Sequence, residues 1–259
     1  MQSSTAPHEA RAGSTAERQA ASHAFQVGDA VDAIESAGTG YELHLDRRSS
    51  HQRIARYVRS LGLEPILDVG ASSGHIGRLL SETSLTIDAI EPDPASAETA
   101  RPFYRTVHSS SVEEVELPAS YYRVLICADI LEHTIDPVRA MHRLLAASTE
   151  DVQVVVSLPN VGHLAARAIV MSGNFPQHDK GIFDRTHLHF YTRDGVLKLM
   201  RDAGLRVRRM GATPVPLEEV VPSWMPNELR EAAMRIQMAA VRVWPRLFGY
   251  QWLVVATKP

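Results

Sequence analysis

The sequence predicts an α/β protein built on a seven-stranded, mostly parallel sheet with helices on both faces. Two observations predict it. From Ile66 onward, short continuous apolar segments alternate with helical ones, the pattern of strands covered on both faces by crossover helices. A small-residue turn, Gly70-Ala71-Ser72-Ser73-Gly74, joins the first of those strands to its helix.

The elements run in order along the chain. Residues 1–28 are rich in Ala, Ser, Gln and charge, too poor in large apolar side chains to offset their ordering entropy, and read as a tail. The domain is expected over 29–259. In the first helix Ile54, Val58 and Leu61 share a face, and Gly62 and Pro65 end it. PILDVG is the first strand, and Ile76, Leu79 and Leu80 mark the helix after it. TIDAIE is the second strand; its helix opens with Asp93 as cap and Pro94 in the first turn. RTVHS, YRVLICAD and VQVVVSLP are the next three strands, with a helix after Pro137. A further helix is capped by Thr192 and ended by Gly204. RVRRMGA and QWLVVATK are the last two strands. Inserts occupy 160–191 and 214–250. In the second, Leu229, Ala233, Ile236, Ala240 and Val243 form one helical seam, read as a lid over the sheet, a homodimer contact, or packing on its own domain.

Net charge is −3, with 22% charged residues, which argues against nucleic acid as a partner. The single cysteine, Cys127, forms no intrachain disulfide and no cysteine-based zinc site, in keeping with a cytoplasmic protein. No segment reads as a signal peptide or a membrane span.

The turn supports two chemistries. As G-x-S-x-G it is a hydrolase elbow with Ser72 as nucleophile. As a loop between strand and helix it is the floor of a nucleotide pocket. An elbow expects several preceding strands and an HGGG-type oxyanion loop; here the motif comes after the first strand, and HGGG is absent. The pocket expects an acid ending the second strand about 20 residues on, and Glu91 stands there. Ser72 and His75 replace two glycines of the dinucleotide fingerprint, so close approach of a pyrophosphate fits poorly. A cofactor with ribose and no phosphate, S-adenosylmethionine (SAM), fits better.

LDVGASSGHIG, AIEPD and ADILEHTIDP resemble the successive motifs of class I SAM-dependent methyltransferases, with Ser72 where the usual first motif has its middle glycine. The resemblance covers about 50–212 and the closing strand, and implies a Rossmann-like sheet whose last strand is antiparallel. SLPNVGH followed by GIFDRTHLHFYT resembles a subgroup linked with sugars, surface glycans and natural products. Phe183, His189 and Tyr191 stand where its pattern has Leu, Arg and Phe. Carried over, Asp68, Gly70, Ala71, Ser72 and Gly74 take the methionine end of the cofactor. Glu91 takes the ribose hydroxyls, with Pro92 beside the adenine, Ser111 and Val112 at the adenine edge, and Ala128 and Asp129 near the sulfonium.

Methyl transfer to a hydroxyl needs a placed acceptor and a base for its proton. The first insert comes after the fifth strand and holds His163, His178, His187 and His189. His187 is the expected base, Asp184 its orienting carboxylate and His133 the alternative base; Asn160, His163, Phe183 and Tyr191 are the expected acceptor contacts. Asp184, His187 and His189 could form a metal site, but transfer from a sulfonium needs no metal, and none is expected. The expected reaction is O-methylation of a small-molecule or glycan hydroxyl. N-methylation of a small metabolite or peptide-like product is the alternative within the class, and a Ser72 esterase the alternative outside it.

Overall fold

A computed structural model describes residues 49–216 and 224–259. The expected tail and the first part of the expected domain lie outside these residues, as does 217–223 of the second insert. The elements are α1 (Ser50–Leu61), β1 (Ile66–Val69), α2 (His75–Leu80), β2 (Ile87–Ile90), α3 (Pro94–Ala100), β3 (Thr106–His108), β4 (Tyr122–Ala128) and α4 (Pro137–Ala146). Beyond them come β5 (Ser148–Pro159), α5 (Leu164–Met171), α6 (Arg193–Asp202), β6 (Arg206–Thr213), α7 (Asn227–Val243), α8 (Pro245–Phe248) and β7 (Gln251–Thr257).

The seven strands lie in the order β3-β2-β1-β4-β5-β7-β6. The neighbours from β3 to β5 are parallel, and β7 enters antiparallel between β5 and β6. This is the Rossmann-like sheet with a reversed last strand that the motifs imply.

Successive side chains on a strand face opposite ways, so each strand feeds two cores. Leu67, Val69, Leu125, Cys127, Val154 and Val156 pack on one face with Met141 and Leu144 of α4 and Val196 and Met200 of α6. Ile66, Ala89, Val124 and Ile126 pack on the other with Ile54 and Val58 of α1, Ile76 and Leu80 of α2, and Ala97 of α3. Burying each large aliphatic side chain contributes roughly 1.5–3 kcal/mol before entropy is set against it.

The helix ends obey the local chemistry. Asp93 accepts from the Ser96 amide at 2.8 Å with Pro94 behind it. Thr192 accepts from the Gly195 amide, and Gly204, at φ 74°, closes the far end of α6. Three features depart from the sequence reading. β5 begins at Ser148, because Ser148 pairs with Tyr122 across a bulge although its first residues are polar. The first insert contains α5, capped by His163. In α7 the seam does not pack on its own domain: Leu229, Ile236 and Val243 are exposed in the single chain, while Met234 and Val241 are buried. No helix among the described residues is long and apolar enough to cross a membrane.

Candidate active site

The carboxyl ends of β1, β2 and β4 lie side by side, since Val69 is in register with Ile90 and with Cys127. The turns leaving these three strands meet at one edge, where open α/β sheets bind ligands. A cavity of about 480 Å³ opens at that edge. Such a volume suits a cofactor-sized ligand. Asp68, Gly70, Ala71, Ser72, Ala128 and Asp129 line it, as do His133, Asp184 and His187.

The turn after β1 is held by its backbone. The amides of Gly70 and Ala71 both donate to the Ile90 carbonyl, at 2.8 and 3.1 Å. Gly70 has φ 73°, and a Cβ there would lie 2.7 Å from the Ile130 side chain, so both conformation and space require glycine. Ser72 takes φ 49°, a left-handed position unusual for serine. Its amide donates to Glu91 Oε2 at 2.7 Å, and the Asp93 amide donates to Glu91 Oε1 at 2.9 Å. The acid that ends β2 is thus tied to the turn after β1. Gly74 is not on the cavity wall. Its amide is taken by the Ala71 carbonyl, and its missing Cβ makes room for Phe103. Glu91, Pro92, Ser111 and Val112 are also off the wall; Glu91 is nearly buried under the turn and Val112 packs into the core.

Several carboxyls on the wall are displaced in acidity, Asp68 and Asp129 among them. The Asp68 carboxyl is pushed up to about 7 by burial, with the Glu91 charge adding and a hydrogen bond from Tyr104 opposing. That bond, from the Tyr104 hydroxyl to Oδ2, is 2.5 Å long. Asp129 sits at φ 53°. Its oxygens accept from the Ser157 hydroxyl at 2.9 Å and from Gln251 Nε2 at 2.8 Å. Burial holds it above the usual carboxylate range, against the opposing effects of His51, these two hydrogen bonds and His187.

The polar centre of the cavity is a cluster with a member, Glu132, that the sequence motifs did not single out. Glu132 lies just beyond β4, its side chain 1% exposed. Neither of its carboxylate oxygens has a hydrogen-bond partner on another described residue. Burial, then the Asp129 charge, raises this carboxyl well above its usual range. His187 Nε2 stands 3.9 Å from Glu132 Oε1. The rings of His133 and His187 meet edge to face at 4.7 Å. Burial, then His133, lowers the His187 imidazole below its usual value, which keeps it neutral near pH 7.

The expected pairing of Asp184 with His187 is not formed. His187 Nδ1 lies 3.2 Å from the Ile182 carbonyl, so that carbonyl orients the ring. Asp184 Oδ1 instead accepts from the Thr186 amide and, at 2.6 Å, from its hydroxyl. The same hydroxyl oxygen lies 3.0 Å from His133 Nδ1, so Asp184 acts on the other histidine through Thr186. His189 is turned away, with Nε2 at 3.1 Å from the Thr134 carbonyl, so the set Asp184, His187 and His189 is not assembled.

The four expected acceptor contacts are off the wall as well, and each has a packing or capping role. Asn160 is buried; its Nδ2 donates to the Gly249 carbonyl at 2.8 Å and its Oδ1 accepts from the Gly162 amide. His163 caps α5 and meets Tyr250 edge to face. Phe183 is buried beside Ala166 and Ile182, and Tyr191 belongs to the main core. The wall positions they were expected to fill are held by Lys180, Gly181, Thr213, Pro214, Tyr250 and Gln251. The last four join the site only through β6 and β7, so local sequence carried no sign of them. Ser72 makes its described hydrogen bond through its amide, and no histidine pairs with its hydroxyl among the described residues.

Sheet order, reversed last strand and an edge cavity between a glycine turn and an acid define a class of protein, the Rossmann-like methyltransferases. A family model described as a methyltransferase domain matches residues 43–209, more than half of the chain, and the chain belongs to that family. It is a class I methyltransferase whose cofactor is SAM. Solved structures share the fold at low identity. A SAM-dependent methyltransferase from Archaeoglobus fulgidus is 17% identical, with a TM-score of 0.55 over 82% of this chain and 96% of that one. One from Thermotoga maritima, described as a possible histamine N-methyltransferase, is 16% identical, with a TM-score of 0.54 over 79% and 87%. Magnesium protoporphyrin IX methyltransferase from Synechocystis, with SAH bound, is 14% identical, with a TM-score of 0.53 over 90% and 94%. A comparison with curated proteins finds no match.

Proposed function

We propose that this methyltransferase transfers the methyl group of SAM to a hydroxyl of a sugar, glycan or natural product. The methionine end lies along Asp68 and the turn Gly70–Ser72, Glu91 takes the ribose hydroxyls, and Pro92, Ser111 and Val112 border the adenine. The insert at 160–191 covers the acceptor. One observation carries the oxygen reading: a near-neutral imidazole, His187, with Nδ1 held by a carbonyl and Nε2 left for the cavity. In the transfer the acceptor oxygen forms its bond to the methyl carbon as the carbon–sulfur bond breaks. The electron pair stays on sulfur, and the acceptor proton passes to His187 Nε2. The insert motifs that resemble the sugar and natural-product subgroup support the acceptor class. The fold does not choose it, since the similar structures bear names with unrelated acceptors.

The test is a panel of hydroxylated acceptors, with amines in parallel, assayed by SAH release. His187→Ala should lower turnover by ~10²–10⁴ while cofactor affinity stays within a few-fold. Turnover within a few-fold of wild type would remove His187 from the role. Transfer to amines alone would replace the oxygen reading.

A further inference from the structure

We propose that Glu132, His133 and His187 hold one divalent first-row transition-metal ion of the zinc or cobalt kind, with its open positions facing the acceptor. One carboxylate and two imidazoles are a donor set that such ions take and that magnesium or calcium does not favour. The ligating atoms of the three lie within 4.8 Å of one another. Ligands at about 2.1 Å in a tetrahedral array stand roughly 3.4 Å apart. The Glu132 to His187 distance of 3.9 Å therefore needs only a small closure.

Two independent features favour a cation over a simple polar contact. Glu132 is buried with both oxygens lacking a hydrogen-bond partner on another described residue, and 3.9 Å is too long for a hydrogen bond to His187. A buried carboxylate without a partner is a costly arrangement that a bound cation resolves. In addition, both imidazoles direct Nδ1 at protein oxygens, His187 at the Ile182 carbonyl and His133 at the Thr186 carbonyl and hydroxyl. Metal-bound histidines carry this kind of outer partner, which sets the tautomer and leaves Nε2 as the ligand. The turn that carries Glu132 is pinned too, since its carbonyl accepts the Leu188 and His189 amides at 2.8 and 3.1 Å.

The chemical use of the ion rests on the proposed oxygen acceptor; its binding does not. A hydroxyl on the cation loses its proton to solvent more readily. The oxygen would then form its bond to the methyl carbon as the carbon–sulfur bond breaks; in the ion-loaded protein His187 Nε2 is a ligand and the proton goes to solvent, whereas the base role proposed above belongs to the ion-free protein.

The experiment is titration of the full, untagged, chelator-treated chain with CoCl₂, followed by visible absorption, with zinc chloride as competitor. The expected result is one saturable equivalent of cobalt per chain, displaced by zinc. Glu132→Gln and His133→Ala should each weaken binding by at least the ~10–100-fold that loss of an outer partner causes. His189→Ala should leave it unchanged, and circular dichroism checks that each variant is folded. No saturable binding by folded wild type, or binding unchanged in both ligand variants, would overturn the site. Cobalt binding without transfer to any hydroxyl would keep the site and sink the oxygen reading. Full transfer by protein that binds no cobalt would do the reverse.

Discussion

At the scale of single residues, acidity in the cavity is set by burial. Asp68 has its carboxyl at about 7 in the protein without cofactor. The unfolded chain holds it near 3.9. Between those values the folded state keeps a proton that the unfolded state releases, so this group lowers stability as pH rises through the window. If the methionine end binds beside Asp68 as proposed, cofactor binding reverses the preference, because the ammonium of SAM favours the ionised carboxylate. The SAM dissociation constant should therefore fall from pH 6 to pH 8 and level off above, as measured by calorimetry. In Asp68→Asn the profile should be flat; an unchanged slope would place the titration elsewhere. The residues at the strand ends were readable because their chemistry is local. Gly70 is needed where φ is positive and Ile130 is close, and Glu91 ends the strand beside the turn it holds. Glu132 was not readable, since an acid before a histidine after a strand has the spelling of an ordinary turn. Its meaning comes from His187, which the fold brings to it.

At the scale of elements, the side chains that the first insert's motifs assign to substrate are engaged in holding the insert together and against its neighbours. Asn160 joins the end of β5 to the carbonyls of Arg246 and Gly249. Asn160→Ala should lower unfolding free energy by about 1–3 kcal/mol, through carbonyls left without a donor. Thermal unfolding checks this, and a change under about 0.5 kcal/mol, the size of an ordinary surface substitution, would mean the insert is held by its aromatic packing instead. In the second insert, spacing alone does not say which face packs on the domain. α7 carries two apolar stripes of the same period, Leu229–Ile236–Val243 and Met234–Met238–Val241. Periodicity does not choose between them. Packing does, since Met234 and Val241 are buried and Met238 Sδ lies 3.9 Å from an Arg53 nitrogen of α1.

At the scale of the whole molecule, the parallel strands and their crossovers were plain in the sequence because each is a short apolar run closed by its own turn. The placing of β7 between β5 and β6 was not, because register across a long connection leaves no local trace. The cavity joins parts of the chain that are distant in sequence, so cofactor binding should stabilise the fold as a unit. At about 100 times its dissociation constant a ligand adds roughly 2.7 kcal/mol. For a protein of this size that is a rise of about 5–11 °C in Tm. SAM and SAH should both produce it. Glu91→Gln should show at most a few degrees at the same concentrations, since one oxygen loses its charge while the turn keeps an acceptor. An equal rise in the variant would remove Glu91 from the ribose.

The reversed strand has a consequence for how the protein is made. β6 reaches the sheet only through β7, and 38 residues separate Thr213 from its partner Gln251. At about 5–20 residues per second, a ribosome takes roughly 2–8 seconds to cross that interval. During it the nascent chain carries an unfinished β5 edge and an arginine-rich β6 with nothing to pair against. Asp129 also waits for Gln251, which lies 122 residues downstream. The wall residues supplied by β6 and β7 therefore join the pocket last, and β6 carries Arg206, Arg208 and Arg209, the kind of charge that discourages an unpaired strand from pairing with a neighbour's.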